Sequence, residues 1–312
     1  MDIVKLTVGL VISSMGLAAC EVHDPARVDD MDAYSAEIEE WRDGRLQRLK
    51  SKTGYLNLVG LYWLRAGENR AGSAPGNDLL FPKGAPPYLG SFVLSDGKVQ
   101  MIVADGVEVF ADGVAIDEVA MGSDSTKDDV LLTSGSFAWS VVERQGRLGV
   151  RVRDYDLPGV ADFPPIDHYP VDSAYRLNAR FKPYDESRIV NVATVIEGVD
   201  YVPESPGVIE FELNGQTEQL EAYKSDDGTQ FFIIFADATS SDETYPAGRF
   251  IYTDWPDDHG VTVLDFNKAY NPPCVFNDFA TCPVASPRNR LQAAVRAGEK
   301  YHPEMHLGPS AY

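Results

Sequence analysis

The chain carries 27 Lys and Arg against 48 Asp and Glu over 312 residues, a formal net charge of −21 and a pI near 4.5. So acidic a surface repels phosphate backbones and anionic headgroups, which argues against nucleic acid as a partner and against a basic patch as a means of membrane attachment. With 44% hydrophobic residues, the length suffices for one large or two small domains with a proper core.

The N-terminus reads MDIVKLTVGLVISSMGLAAC. Lys5 precedes a short apolar run, and Leu17-Ala18-Ala19 follow before Cys20. A basic start, a short hydrophobic region and small residues at a cleavage point form a secretory signal, here over residues 1–19. The run is too short to span a bilayer, which takes about 20 apolar residues. Leu-Ala-Ala-Cys resembles a bacterial lipobox, although Asp2 departs from the usual positive start. The expectation is an extracytoplasmic protein attached to the lipid bilayer only through a lipidated Cys20. In a Gram-negative cell, Glu21 favours the outer membrane, facing the periplasm. Residues 20–30 then read as a tether.

The stretch MDAYSAEIEEWRDGRLQRLK places Tyr34, Ile38, Trp41 and Leu49 at helical spacing, which predicts an amphipathic helix over residues 32–50. Beyond it the period changes. Residues 55–64 form an aromatic-rich apolar run, and Asp-Gly pairs at 96–97, 105–106 and 112–113 sit between alternating segments. Such pairs tolerate the positive φ of tight hairpins. Gln145-Gly146 and Asn214-Gly215 repeat the signal. The fold class that follows is mainly β: an antiparallel sandwich or barrel-like meander with an N-terminal helix and a long irregular C-terminal loop. Residues 31–301 read as one β-rich domain or as two lobes divided at the proline-rich run 157–172. A last short helix is predicted over 289–300, and residues 302–312 form a tail.

The segment LDFNKAYNPPCVFNDFATCPVASPRNRLQ, residues 264–292, is the least ordinary part of the chain. Asn271-Pro272-Pro273 cannot be a central strand, because neither proline donates a hydrogen bond. With Cys20 lipidated, Cys274 and Cys282 remain as a pair. Outside the cytoplasm such a pair is expected to form a disulfide, stabilising by about 2–3 kcal/mol in the chain-entropy picture. This segment, together with TSSDETYPAGRFIYTD and EEWRDGRLQRLKSKTGYLNLVGLYWLRAG, resembles the bacterial family catalogued as domain of unknown function 1684 over residues 39–301. Ser241 stands where that family usually has glycine, and the tail from His302 lies beyond its pattern. The resemblance implies an exported lipoprotein and implies no activity.

Two accounts of the segment stand side by side. In one it is a brace that covers the end of a β core. In the other, Asp265, Asn267, Tyr270, Asn271 and Asn289 converge with Arg290, Glu299 and the neighbouring Thr244, Tyr245 and Arg249 into a rigid polar pocket. Arg249 and Arg290 would clamp an anion, and Asp265 or Glu299 would serve as acid or base. The leading reading is a binding module for a small polar or anionic ligand or an envelope component. The alternatives are a hydrolase using Asp265 or Glu299 with Arg249, and an interaction protein without a small-molecule site. His302 and His306 could join the cysteines in a zinc set, but the cysteine spacing is too wide, so no metal and no cofactor is expected. No G-x-S-x-G elbow is present, and the adjacent Asp167 and His168 build no triad.

Overall fold

A computed structural model describes residues 23–126 and 128–307. The signal sequence, Cys20 and the end of the tail lie outside the described residues. The N-terminal helix runs Met31–Lys50. Asp30 caps it, its carboxylate accepting from the amides of Asp32 and Ala33 at 3.0 and 3.1 Å, and Arg48 and Lys50 suit the negative end of its dipole. Tyr34, Ile38 and Leu49 are buried as the spacing predicts, and so is Arg45, a charge inside the apolar stripe.

Two β lobes follow, each around its own core. In the first, the sheet ordered Leu58–Trp63, Arg147–Asp154, Phe137–Arg144, Leu132–Ser134, Val109–Ala111, Val114–Ile116 packs against a second sheet built on Gly67–Gly72, Gly90–Ser95, Lys98–Val103 and Glu118–Met121. Trp139, Phe92, Phe81 and Met101 fill the space between. Four of the turn signals act as expected: Asp96, Asp112, Gln145 and Asn214 have φ of 51°, 48°, 51° and 54° and each precedes a glycine of positive φ. The fifth, Asp105-Gly106, is no hairpin. It leads from Lys98–Val103 in one sheet to Val109–Ala111 in the other.

The second lobe is a six-stranded antiparallel sheet in the order Arg249–Asp254, Gln230–Phe235, Gln216–Lys224, Glu204–Leu213, Arg176–Ile189, Val261–Asp265. It curls until its first and last strands nearly meet, where the hydroxyls of Thr253 and Thr262 lie 2.7 Å apart. Phe211, Phe231, Phe235 and Phe266 fill the barrel. The proline-rich run between the lobes is packed: Phe163 and Ile166 join Leu49, Leu56, Val275 and Phe276 in a separate apolar cluster. The described part of the tether also lies on the second lobe, with the amide of Ala26 donating to Asn178 Oδ1 at 3.0 Å.

The helix expected over 289–300 does not form. A single 3-10 turn spans Pro287–Asn289, and irregular chain continues to residue 300. Its amides are taken by the barrel: Leu291 donates to Ala236 O at 2.8 Å, Val295 to Asp237 Oδ2 at 2.6 Å and Glu299 to Ala269 O at 2.8 Å. Gly298, at φ +79°, comes so close to Ala269 O that a Cβ would lie 2.3 Å from it. Tertiary hydrogen bonds thus replace the ladder that a helix would have supplied.

Candidate functional site

Most of the polar side chains singled out around residues 264–300 are satisfied by the protein itself. Tyr34 Oη donates to both oxygens of Asp265 at 2.8 and 2.9 Å, and Asn267 Nδ2 donates to Tyr34 Oη and to Asp172 O at 3.0 and 2.8 Å. Burial and then the Asp265 carboxylate push the Tyr34 phenol well above its ordinary value, so it stays a donor. Glu299, with 0% exposure, accepts from the amide of Asn271 at 2.7 Å and from Arg45 Nε at 3.3 Å. Burial raises its pKa while Arg45 pulls the other way. Asn289 reaches between strands, accepting from the amide of Glu221 at 2.8 Å and donating to Ile234 O at 2.9 Å.

Arg249 is 1% exposed. Its guanidinium donates to Asp237 Oδ1 at 3.3 Å and to Val295 O at 2.9 Å, with further bonds to Ala297 O. Thr244 lies in the same knot, its hydroxyl 2.9 Å from that of Thr239, which donates to Asp237. Tyr245 packs against Tyr301 with ring centroids 5.1 Å apart. Arg290 is exposed, and only its backbone bridges to Ala236. The single pocket expected from these residues is therefore corrected. Arg249, Asn267, Asn271, Glu299 and Thr244 are buried and engaged as internal ties, and they do not line the two cavities that Tyr270 borders. The expected disulfide is also absent: both cysteines are free thiols, held together with the Cys274 amide donating to Cys282 Sγ at 3.0 Å. His302 and His306 lie on separate carboxylates, Asp167 and Asp278, each at 3.1 Å.

Two of the expected residues do line open space. Tyr270 and Asp265 border a cavity of about 650 Å³ together with Trp41, Arg48, Arg176 and Lys268. Tyr270, Arg45 and Tyr252 also form the wall of a second cavity, of about 520 Å³, which opens between the lobes. The first lobe contributes Arg144 and Arg151 to it. The second contributes Tyr201, Phe232, Phe250 and Tyr252, with Ala280 to Pro283 of the C-terminal crossing alongside. The Arg45 guanidinium lies 4.5 Å over the Tyr270 ring, and Tyr252 stacks on Tyr270 at 6.3 Å.

Strand alternation explains how the arginines come here. In Arg147–Asp154, Val150 and Val152 point into the sandwich core, so Arg151 and Arg153 point out, toward the second lobe. Arg153 is engaged by Asn57 Oδ1 at 2.7 Å. Arg144 is held by Thr281 Oγ1 at 3.1 Å and Asp124 Oδ1 at 3.0 Å. Arg151 donates no hydrogen bond to any described residue, and its Nε is buried. Burial lowers its pKa, and the Arg144 charge lowers it further. The sequence reading missed this residue. Its only trace was a basic residue alternating with valine in GVRVRD, which reads equally well as a solvated strand face.

No curated protein matches the chain. Among solved structures, it is similar to an uncharacterized protein of Haloarcula marismortui at 27% identity and a TM-score of 0.38, over 45% of this chain and 78% of that one. It is also similar to the FHA-2 domain of a Mycobacterium tuberculosis ABC transporter at 17% identity and a TM-score of 0.22, over 47% of this chain and 97% of that one. Residues 161–300, which supply the barrel, the internal ties and most of the cleft wall, match the family model described as "Protein of unknown function (DUF1684)".

Proposed function

We propose that the protein is a binding module whose interlobe cleft holds a small anionic ligand with an apolar or ring-bearing body. The observation that carries the reading is Arg151, a guanidinium without a protein partner at the wall of the 520 Å³ cavity. A half-buried cation whose Nε is buried without a partner is costly, and an anion entering the cleft would lower that cost. Arg144, already fixed by Thr281 and Asp124, stands beside it as a second, preorganised contact. Tyr201, Phe232, Phe250 and Tyr252 offer the apolar wall that such pockets use to take up a ligand's body. The cavity wall carries Arg45, Arg144 and Arg151 against Asp124 and Asp226, a local excess of positive charge in a chain of net charge −21. We further place the protein outside the cytoplasm, anchored by lipid on Cys20, as its lipobox-like start suggests. The hydrolase alternative, Asp265 or Glu299 with Arg249, is weakened because Arg249 is 1% and Glu299 0% exposed, and of the three only Asp265 borders a cavity.

The test is calorimetric titration at low salt with inorganic phosphate and with 4-nitrophenyl phosphate. The aryl ester binds more tightly because its ring meets the tyrosine wall. Arg151→Met weakens binding about tenfold or more, about 1.4 kcal/mol. Equal affinity in wild type and variant, or no heat from either probe, overturns the reading. Mass spectrometry of the mature protein from its native membrane reports the Cys20 lipid, and a non-acylated N-terminus would remove the anchor.

A further inference from the structure

The thiols of Cys274 and Cys282 stand apart from every tie described above. Cys274 sits in the 3-10 turn Pro273–Val275, positioned by Pro272, whose fixed φ of −65° brings the chain in extended. Cys282 is pinned from the other side: its carbonyl accepts from the Val195 amide at 2.9 Å, and two residues on the Val284 amide donates to Ala193 O at 2.8 Å. Both segments are thus held independently, and the Cys274 amide donates to Cys282 Sγ at 3.0 Å while both cysteines remain free thiols. The pair is asymmetric. Cys274 is half-buried, whereas Cys282 is 4% exposed and lines the interlobe cavity. The neighbouring Cys282 lowers the Cys274 pKa, with Tyr245 adding to it and burial opposing, and burial raises that of Cys282.

We propose that Cys274 and Cys282 are a redox-active dithiol that exchanges with small disulfides, Cys274 attacking and Cys282 resolving. The Cys274 thiolate attacks one sulfur of a disulfide such as oxidised glutathione. A Cys274–glutathione bond forms, the glutathione S–S bond breaks, and one glutathione leaves and takes up a proton. Cys282 then gives up its proton and attacks Cys274 Sγ. The Cys274–Cys282 bond forms and the second glutathione departs. Two thiols are oxidised and one disulfide is reduced to two glutathiones. This chemistry does not depend on an anion in the cleft.

The experiment treats the reduced full-length protein with oxidised glutathione, quenches it in acid, alkylates it after unfolding and maps the peptides. In the wild type, the peptides holding residues 274 and 282 become joined, and dithiothreitol separates them again in the folded protein. Cys282→Ser stops at glutathione on Cys274. Cys274→Ser reacts about tenfold or more slowly, and Tyr245→Phe slows the first step with the same products. Three results overturn the proposal: both thiols still alkylating after oxidised glutathione, glutathione trapped on Cys282 in preference to Cys274, or a bond that dithiothreitol cannot reduce without unfolding. The wild-type arm needs no variant, so a substitution that prevents folding leaves the test intact.

Discussion

Two arginines in this molecule, Arg249 buried and Arg151 half-buried, have different surroundings. Arg249, under the C-terminal crossing, is enclosed by Asp237 and the carbonyls of Val295 and Ala297. Arg151, at the cleft between the lobes, meets no acceptor among the described residues. The first is matched at both terminal nitrogens, with only its Nε unpartnered, and holds irregular chain in place. The second is unmatched, and that vacancy of partners, more than the density of polar residues, distinguishes a place for a ligand from a place for a brace.

The largest expected effect breaks the brace. Arg249→Ala leaves Asp237 buried and the carbonyls of Val295, Ala297 and Glu299 unserved, and should cost about 3–5 kcal/mol in urea unfolding. A loss under about 1 kcal/mol would mean the knot is not a tie at all. Next comes Asn289→Ala, which strips the Glu221 amide and the Ile234 carbonyl of partners and should cost about 1–3 kcal/mol, seen as a lower denaturant midpoint. Arg151→Met sharpens the contrast, because it removes an unpartnered cation. Its midpoint should stay level or rise while anion affinity falls, and a clear destabilisation would put Arg151 with the braces.

Acid offers a gentler probe. His168 is pushed down to about 4, first by burial and then by Arg42, with Arg45 adding repulsion and a hydrogen bond to the Ile166 carbonyl and the Asp167 charge opposing. The unfolded chain therefore binds the proton first. Stability tied to this ring is complete above about pH 6.5 and is lost as pH falls toward 4. His168→Gln should flatten that part of the profile, and an unchanged difference between pH 6.5 and 4.5 would assign the acid loss to other groups. At the small end, the exposed Arg27–Asp29 pair should contribute less than about 0.5 kcal/mol, so Arg27→Ala leaves the unfolding midpoint nearly unmoved.

Residues with local meaning were legible in the chain. The helix from Met31 to Lys50 follows from the 3.6-residue spacing of Tyr34, Ile38 and Leu49. Four hairpins follow from residue pairs that accept positive φ, and Asn271-Pro272-Pro273 announced irregular backbone. The misreadings share one cause. NRLQAAVRAGEK has passable helix propensity, yet its amides bind carbonyls around the barrel and the Asp237 carboxylate, and those partners come from chain thirty or more residues away. Asp105-Gly106 has the hairpin composition but connects two sheets, because its flanking strands find other neighbours.

The amino-acid sequence by itself determined the β class, the entering helix, the turns and the unusual character of residues 264–292, since each is set by backbone preferences over a few positions. Only the tertiary structure decided that the asparagines and Arg249 there are spent on internal ties, that two thiols meet unbonded, and that Arg151 faces a cleft. Alternation along a strand says which side a residue takes. What waits on that side depends on a lobe folded from distant chain, and the partner, or its absence, is what turns a charge into a brace or a site.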